Sequence, residues 1–372
     1  VEMNGVYLAR NSGALQDFFD IESVEILRGP QGTLYGRNTI GGVVSVRTKR
    51  PGDSFAGAGQ ITFGDRGRIE GRVALESPLG EGLAVRASML YKTYNGFSRN
   101  ATTGKKVGDN EVWSGRLTLV ARPTDSIEAT LIADFDRERG SGAAFRNASQ
   151  PGNVYYNFSP DTGTPTPAVP AGSSDPTDPY TVYSDTPLFA NLDTWGLAFN
   201  LDWDVGAAKI TAITGYREFK DRVQSDYDAS ALPFFAALRD QKHEQISQEL
   251  RIASSGESRF DYVLGGFFMH QSYDITNAQS GLIYGGATVP QIASQSNTAW
   301  AAFGQLDFHA TDALTLTAGG RYSYEKKRFT NQPLFFPTAM TYRDTWEDFR
   351  PSSGSAIRSI PTFWPMPAGR RG

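Results

Sequence analysis

TWGLAFNLDWDVGA, residues 194–207, alternates apolar and polar positions almost without a break. Trp195, Leu197, Phe199, Leu201 and Trp203 fall on one side, Asn200 and Asp202 on the other, and Asp204-Val205-Gly206 closes the run. A β-strand sends successive side chains to opposite faces, so this spacing describes a strand with one fully apolar face. Tryptophan at both ends of that face is the arrangement an amphipathic ring adopts where an apolar layer meets water.

The same period recurs outward from this stretch. Leu83, Val85, Ala87, Met89 and Tyr91 alternate with Arg86, Ser88 and Lys92. Trp113, Leu117, Leu119 and Ala121 alternate with Ser114, Arg116, Thr118 and Arg122, and Ile127, Ala129, Leu131, Ala133 and Phe135 with Glu128, Thr130, Asp134 and Asp136. Leu314, Leu316, Ala318 and Tyr322 alternate with Thr315, Thr317, Arg321 and Ser323. About eleven such segments are expected by residue 328, many longer than a globular strand. Every other connection is short, at 78–82, 122–126, 204–207, 254–258 and 310–313. Those between are long, at 95–109, 140–191, 223–241 and 276–296, with 64–67 as the exception. Long strands with short turns at one end and long loops at the other predict a transmembrane antiparallel β-barrel. A β-sandwich would show shorter strands with the apolar face turned inward.

Composition narrows the function. The chain has 372 residues, 12% aromatics, 39 glycines and no cysteine, which excludes a disulfide framework, thiol catalysis and cysteine metal sites. A net charge of −4 with no basic stripe argues against nucleic acid as partner. No stretch reaches the 18 or so apolar residues of a membrane-spanning helix, which leaves a barrel open.

The first fifty residues differ in kind. Residues 3–8, 23–27 and 43–48 are expected as short strands, and residues 14–19 as a helix with Asn11 or Ser12 as cap, giving a small α/β unit. Between the last two strands lies ILRGPQGTLYGRNTIGGVV, residues 26–44. A phosphate loop needs G-x-x-x-x-G-K-[ST]; GTLYGRNT has Arg37 and the wrong glycine spacing. Gly29, Gly32, Gly36, Gly41 and Gly42 are better explained as turn positions that need left-handed backbone. No catalytic constellation appears: His243, His270 and His309 stand apart, and Asp134, Asp136 and Glu138 suit a solvated face better than a cation site. The chain is not expected to be an enzyme or to carry a cofactor.

DIESVEILRGPQGTLYGRNTIGGVVSVRTKRP, residues 20–51, resembles the C-terminal half of the plug domain of TonB-dependent outer-membrane receptors, in motif order and spacing. ISQELRIASS, residues 246–255, resembles a recurrent mid-barrel strand of that family. The resemblance implies residues 1–51 as part of a plug, residues 52–350 as the first half of a barrel of roughly 22 strands, and location in the bacterial outer membrane. It further implies TonB as periplasmic partner, lipid around the wall, and active uptake of a small molecule. A ferric siderophore is the first expectation, with a corrinoid or a glycan as alternatives, and a passive porin or adhesin as the alternative mechanism. Carried over residue by residue, Arg28 of Arg-Gly-Pro is expected to face barrel carboxylates, with Glu249 as its partner and Glu25 and Arg37 in similar contacts. Glu249 has Arg251 or a neighbouring strand as its other choice. Gly29, Pro30, Gly32, Tyr35, Gly36, Gly41 and Gly42 form the plug turn motif. Loop residues Tyr155, Tyr156, Phe158, Tyr180, Tyr183, Phe234 and Phe235 are expected to stack on ligand or to pack their own loops.

Two departures are expected. The chain begins in mid-domain and stops about half-way round the barrel, so it reads as a fragment that would not transport alone. Residues 351–372 carry four prolines without alternation, which predicts a frameshifted or disordered tail that ends the barrel ladder.

Overall fold

The computed structural model describes residues 1–10, 19–29, 41–146, 178–256, 258–311, 313–336 and 338–357. The expected helix at residues 14–19 lies outside the described residues except for Phe19. Four strands, β1 (Glu2–Met3), β2 (Val6–Tyr7), β3 (Ile21–Arg28) and β4 (Gly42–Thr48), make a small sheet in the order β2-β1-β4-β3. The single strand expected over residues 3–8 is instead a hairpin. Asn4 and Gly5 both take positive φ, 51° and 84°, the two-residue turn that Asn-Gly favours, and β1 runs on to β4 in parallel.

The remaining strands are β5 (Ala56–Gly64), β6 (Arg68–Gly80), β7 (Leu83–Tyr94), β8 (Ser98–Asn100), β9 (Lys106–Val107), β10 (Asn110–Thr124), β11 (Ile127–Gly140), β12 (Thr181–Val182), β13 (Phe189–Asp204), β14 (Ala208–Asp226), β15 (Ala236–Ser254), β16 (Phe260–Ser280), β17 (Thr288–Thr311), β18 (Leu314–Gln332) and β19 (Met340–Ile357). Twelve form one antiparallel wall in the order β19-β18-β17-β16-β15-β14-β13-β11-β10-β7-β6-β5, each beside its neighbour in the chain. β8, β9 and β12 form a small third sheet on the long-loop side.

The wall has two chemically distinct faces. Leu197, Phe199, Leu250, Leu264, Phe268, Leu306 and Leu316 are exposed on the outer one. The inner face carries Arg86, Arg116, Asp134, Arg217, Gln245 and Glu249, and the small sheet is held against it. Aromatic pairs mark the outer face near the long-loop end: Tyr91 with Trp113, Trp195 with Tyr216, and Trp300 with Tyr322 and Tyr324. Trp203 marks the other end of β13, eight residues from Trp195. That separation matches the roughly 9–11 residues a tilted strand needs to cross a bilayer, so the wall reaches well beyond the hydrocarbon on the long-loop side.

Two expectations change. The loops placed at 223–241 and 276–296 shrink to 227–235 and 281–287, because β14 to β17 run far past the aromatic girdle. The ladder also does not stop at Pro351. β19 passes through it to Ile357, with Pro351 opposite Gly320. Among the described residues β19 is bonded to β18 alone, and a residue with no N–H is tolerated on a side of a strand left unbonded. Residues 358–372 lie outside the described residues.

Candidate functional site: the seam between small sheet and wall, and the long-loop rim

Asp20 anchors the small sheet. Its backbone sits at φ 55°, a left-handed conformation aspartate tolerates, and its carbonyl accepts the N–H of Lys49 at 3.0 Å. So held, the carboxylate takes a two-pronged bond from Arg86 of β7, at 2.5 and 2.9 Å, while Arg86 also pairs with Glu76 of β6. Burial would raise the Asp20 carboxyl, but the hydrogen bonds and charge of Arg86 outweigh it and hold the group below the usual carboxylate range. Beside it, Arg116 donates to the Phe19 carbonyl at 3.0 Å and lies over the Phe19 ring.

Further along the seam the contacts are polar and dispersed. Arg50 donates to Glu128 at 2.6 Å and to Thr130 at 3.0 Å. Asn200 donates to the Asn4 carbonyl at 3.1 Å, and Gln245 clamps the hairpin end by donating to the Tyr7 carbonyl at 2.6 Å and accepting the Ala9 N–H at 3.2 Å. Arg10 stacks 3.9 Å over the Tyr273 ring. Among the described residues an apolar point joins the two bodies where Val6 meets Ile132, Ala198 and Ile213. There Gly215 makes room for Val6, whose methyl groups fill the place where a side chain would begin. Between the bodies lies a cavity of about 430 Å³ lined by Glu2, Arg47, Glu128, Asp202 and Arg251 among others. Burial pushes the Glu2 carboxyl up, with Arg251 opposing and Glu249 adding to the shift.

Glu249 and Arg28 are not brought together. Glu249 pairs with Arg251, two residues along the same face of β15, whereas Arg28 is exposed at the end of β3 and has no ion pair among the described residues. With a cation at i+2 on its own strand, the Glu249 carboxylate is already neutralised. Glu25 lies 3.9 Å from Arg47 across the β3–β4 ladder. Gly29 has φ 83°, Gly41 is unconstrained, and Gly42 has φ 132° with the Leu27 carbonyl where a side chain would begin. Pro30, Gly32, Tyr35, Gly36 and Arg37 lie outside the described residues, as do Tyr155, Tyr156 and Phe158. Asp134, Asp136 and Glu138 bond to Arg217, Ser114 and Asn110 respectively.

At the long-loop rim, five rings form a row across four connections. Phe145 stacks on Tyr227 at 5.2 Å, Tyr227 on Phe235 at 5.5 Å, Phe235 meets the edge of Tyr284 at 6.3 Å, and Tyr284 meets Phe335 at 5.9 Å. Phe235, one of the expected loop aromatics, belongs to this row. Phe234 offers its carbonyl to Ile283, Tyr180 offers its carbonyl to Arg99 with its ring exposed, and Tyr183 is half-buried beside β12. A second cavity of about 550 Å³ opens nearby, between Lys105, Lys106, Asp109, Glu111, Arg139 and Asp185.

Loop 227–235 is folded around two carboxylates. Asp228 accepts the N–H and hydroxyl of Ser230, at 3.0 and 2.7 Å, and the N–H of Phe235 at 2.5 Å. Asp226 accepts the Ala229 N–H at 3.1 Å and is almost fully buried. It lies eight residues past Glu218, which is level with Trp195, and so stands well outside the hydrocarbon band. Burial, then the charge of Asp228, pushes Asp226 up to about 7, with Asp185 adding to the shift. A raised carboxyl binds its proton in the folded state where the unfolded chain has already lost it. Stability of this rim therefore falls as pH rises from about 4 to about 7 and is level above. Asp226→Asn should remove that slope, checked by following protease nicking of loop 227–235 between pH 5 and 8.

Comparison with known proteins settles the class of this arrangement. The family model described as TonB dependent receptor-like, beta-barrel, matches residues 133–366, and the TonB-dependent receptor plug domain matches residues 1–43. The chain belongs to the TonB-dependent receptors. The pesticin receptor of Yersinia pestis is 25% identical over 323 residues, covering 85% of this chain and 43% of that receptor. The ferrichrome outer membrane transporter/phage receptor of Escherichia coli K12 is 26% identical over 178 residues, 47% of this chain and 21% of that protein. In fold, the chain is similar to the ferric yersiniabactin uptake receptor of Yersinia pestis, with TM-score 0.72 and 20% identity over 93% of this chain and 51% of that one. It thus spans less than half the length of the pesticin receptor. As in other TonB-dependent receptors, the twelve-stranded sheet is outer-membrane barrel wall and the small sheet is plug. The resemblance implied Arg28 as the plug's contact with wall carboxylates; among the described residues the plug-to-wall ion pair at this motif is made by Asp20, at its head, with the charges reversed.

Proposed function

We propose that this chain supplies plug and wall to a receptor that takes up a ferric siderophore across the outer membrane, driven through TonB. Residues 1–51 act as plug and the strands from residue 56 as wall. The observation that carries this reading is the seam: a plug sheet fastened by polar contacts around a cavity of about 430 Å³, with a small apolar point. The outlying pair of Arg50 with Glu128 is water-accessible and contributes only about 0–1 kcal/mol, so with one buried pair, Asp20 with Arg86, and dispersed hydrogen bonds the body is held in place yet can be displaced by a pulling force. The names of the relatives support an iron chelate as cargo. The aromatic row at the rim supports a ligand that stacks, each ring contact being worth about 0.5–1.5 kcal/mol.

The test is uptake of radiolabelled ferric siderophores by cells making the receptor. Uptake should stop when the proton gradient is collapsed. A Tyr227→Ala, Phe235→Ala pair should weaken half-saturation by roughly tenfold at unchanged outer-membrane level. Uptake that persists without the gradient would identify a passive pore, and uptake confined to corrinoids or glycans would replace the cargo while leaving the mechanism.

A further inference from the structure

Beyond the aromatic girdle the two faces of the wall differ in charge, although both meet water. Residues directly opposite in the ladders share a face, and along β14 to β18 the odd-numbered positions turn inward, as Gln245 does to bond the plug. Over residues 219–225, 237–243, 273–279, 289–295 and 329–331, the outward positions carry Lys220, Arg222, Asp240, Lys242 and Asp274. The inward positions carry Asp221 and Arg239, which neutralise each other at 2.8 Å, and His243, whose ring is held by Gln271 at 3.0 Å. In place of charge stand the amides of Gln241, Asn277, Gln279, Gln291, Gln295 and Asn331, set among the rings of Phe219, Tyr273 and Phe329. Arg10 of the plug reaches the same level and lies 3.9 Å over the Tyr273 ring. Water on both sides does not explain this asymmetry; the occupant of the inner side does.

The connections above repeat the bias. Residues 227–235, 281–287 and 333–339 contain no lysine or arginine, and 141–180 sets Arg146 against Asp161, Asp175 and Asp178. The Tyr284 hydroxyl donates to the Gln279 amide oxygen, so the rim's aromatic row and the amide face are continuous. Charge decides what such a surface can hold. Three dianionic catecholates around ferric ion make a triply negative chelate, whereas three monoanionic hydroxamates make a neutral one. A trianion entering here would shed water beside aspartates, with no free wall cation among these inward positions to replace it. A neutral chelate offers carbonyl oxygens, N–H groups and apolar linkers, which amides and rings match as donors, acceptors and stacking surfaces. Resting on the reading of the cargo as a ferric siderophore, we propose that the receptor selects an electrically neutral chelate of tris-hydroxamate type, received on the inward amide face of β14 to β18.

The experiment gives cells making the whole receptor a radiolabelled neutral ferric tris-hydroxamate or a triply anionic ferric tris-catecholate, at equal concentration. The neutral chelate should be taken up in preference by roughly tenfold or more. Gln291→Lys with Gln295→Lys puts two cations on the inward face of β17 and should narrow that preference by roughly tenfold, chiefly by raising uptake of the trianion. Ser294→Lys, on the outward face of the same strand, should leave the preference unchanged. Preferential, gradient-dependent uptake of the trianion overturns this inference and leaves ferric siderophore uptake standing. Uptake of neither chelate overturns both. An unchanged preference in the double variant also overturns the inference, by removing the amide face from the selection. Should the double variant reach the membrane poorly, Gln291→Lys alone reads the same narrowing to a smaller degree.

Discussion

Replacing Arg86 by methionine should weaken attachment of the plug by about 3–5 kcal/mol, the loss expected when one partner of a buried charge pair is removed and the other is stranded. Two carboxylates, Asp20 and Glu76, converge on this one guanidinium, and both are largely buried. Without it they are left beside each other inside the lumen. The effect is best measured as the urea concentration at which the plug segment loses protection from protease while the wall stays folded. Asp20→Asn should cost much less, because it removes a charge and leaves Arg86 its bond to Glu76. The pair also sets an acid limit. Asp20 is held below the usual carboxylate range, so the stability it contributes is complete above the ordinary carboxylate value. It is lost only as pH falls through the lowered one.

Tying the plug to the wall should have the larger effect on transport. The chain has no cysteine, so a pair placed at Val6 and Gly215 has no competing thiols. Val6 already lies against the spot where a Gly215 side chain would begin, within the short reach a disulfide needs. Val6→Cys with Gly215→Cys should transport normally under reductant and fall to background once oxidised, with either single variant unaffected by oxidation. Full uptake by the oxidised pair would mean that β1 and β2 stay on the wall throughout transport, and a route around a stationary plug sheet would have to be sought.

Most of the wall is legible in the residues, and the part that is not has a physical reason. Between Trp195 and Trp203 the outer face must be apolar, so period two is plain. Past the girdle both faces of a strand meet water. Residues 219–226 and 236–245 therefore lose the apolar signal while keeping the ladder, and look like loop. The plug hairpin was written as Asn4-Gly5, a strong turn signal hidden in a short apolar run. Fasteners are harder. Glu249 carries its neutralising cation two residues away in the sequence, whereas nothing near Asp20 announces Arg86, 66 residues on, because their meeting depends on which wall strand passes the plug. Pro351 is a ladder breaker by rule, yet the β18–β19 register runs through it, opposite Gly320.

The order of strands in the wall also grades the entropic cost of seating the plug. Every wall strand bonds to the one that precedes it in the wall, so the sheet can lengthen by nearest neighbours, with little loop-closure entropy at each addition. The plug has no such freedom. Its fastenings span 66 residues from Asp20 to Arg86, 97 from Phe19 to Arg116, 196 from Asn4 to Asn200 and 238 from Tyr7 to Gln245. The short span to Arg86 costs the least loop-closure entropy and the spans to Asn200 and Gln245 the most, so the foot of β3 is the plug's least costly anchorage and its hairpin the most costly.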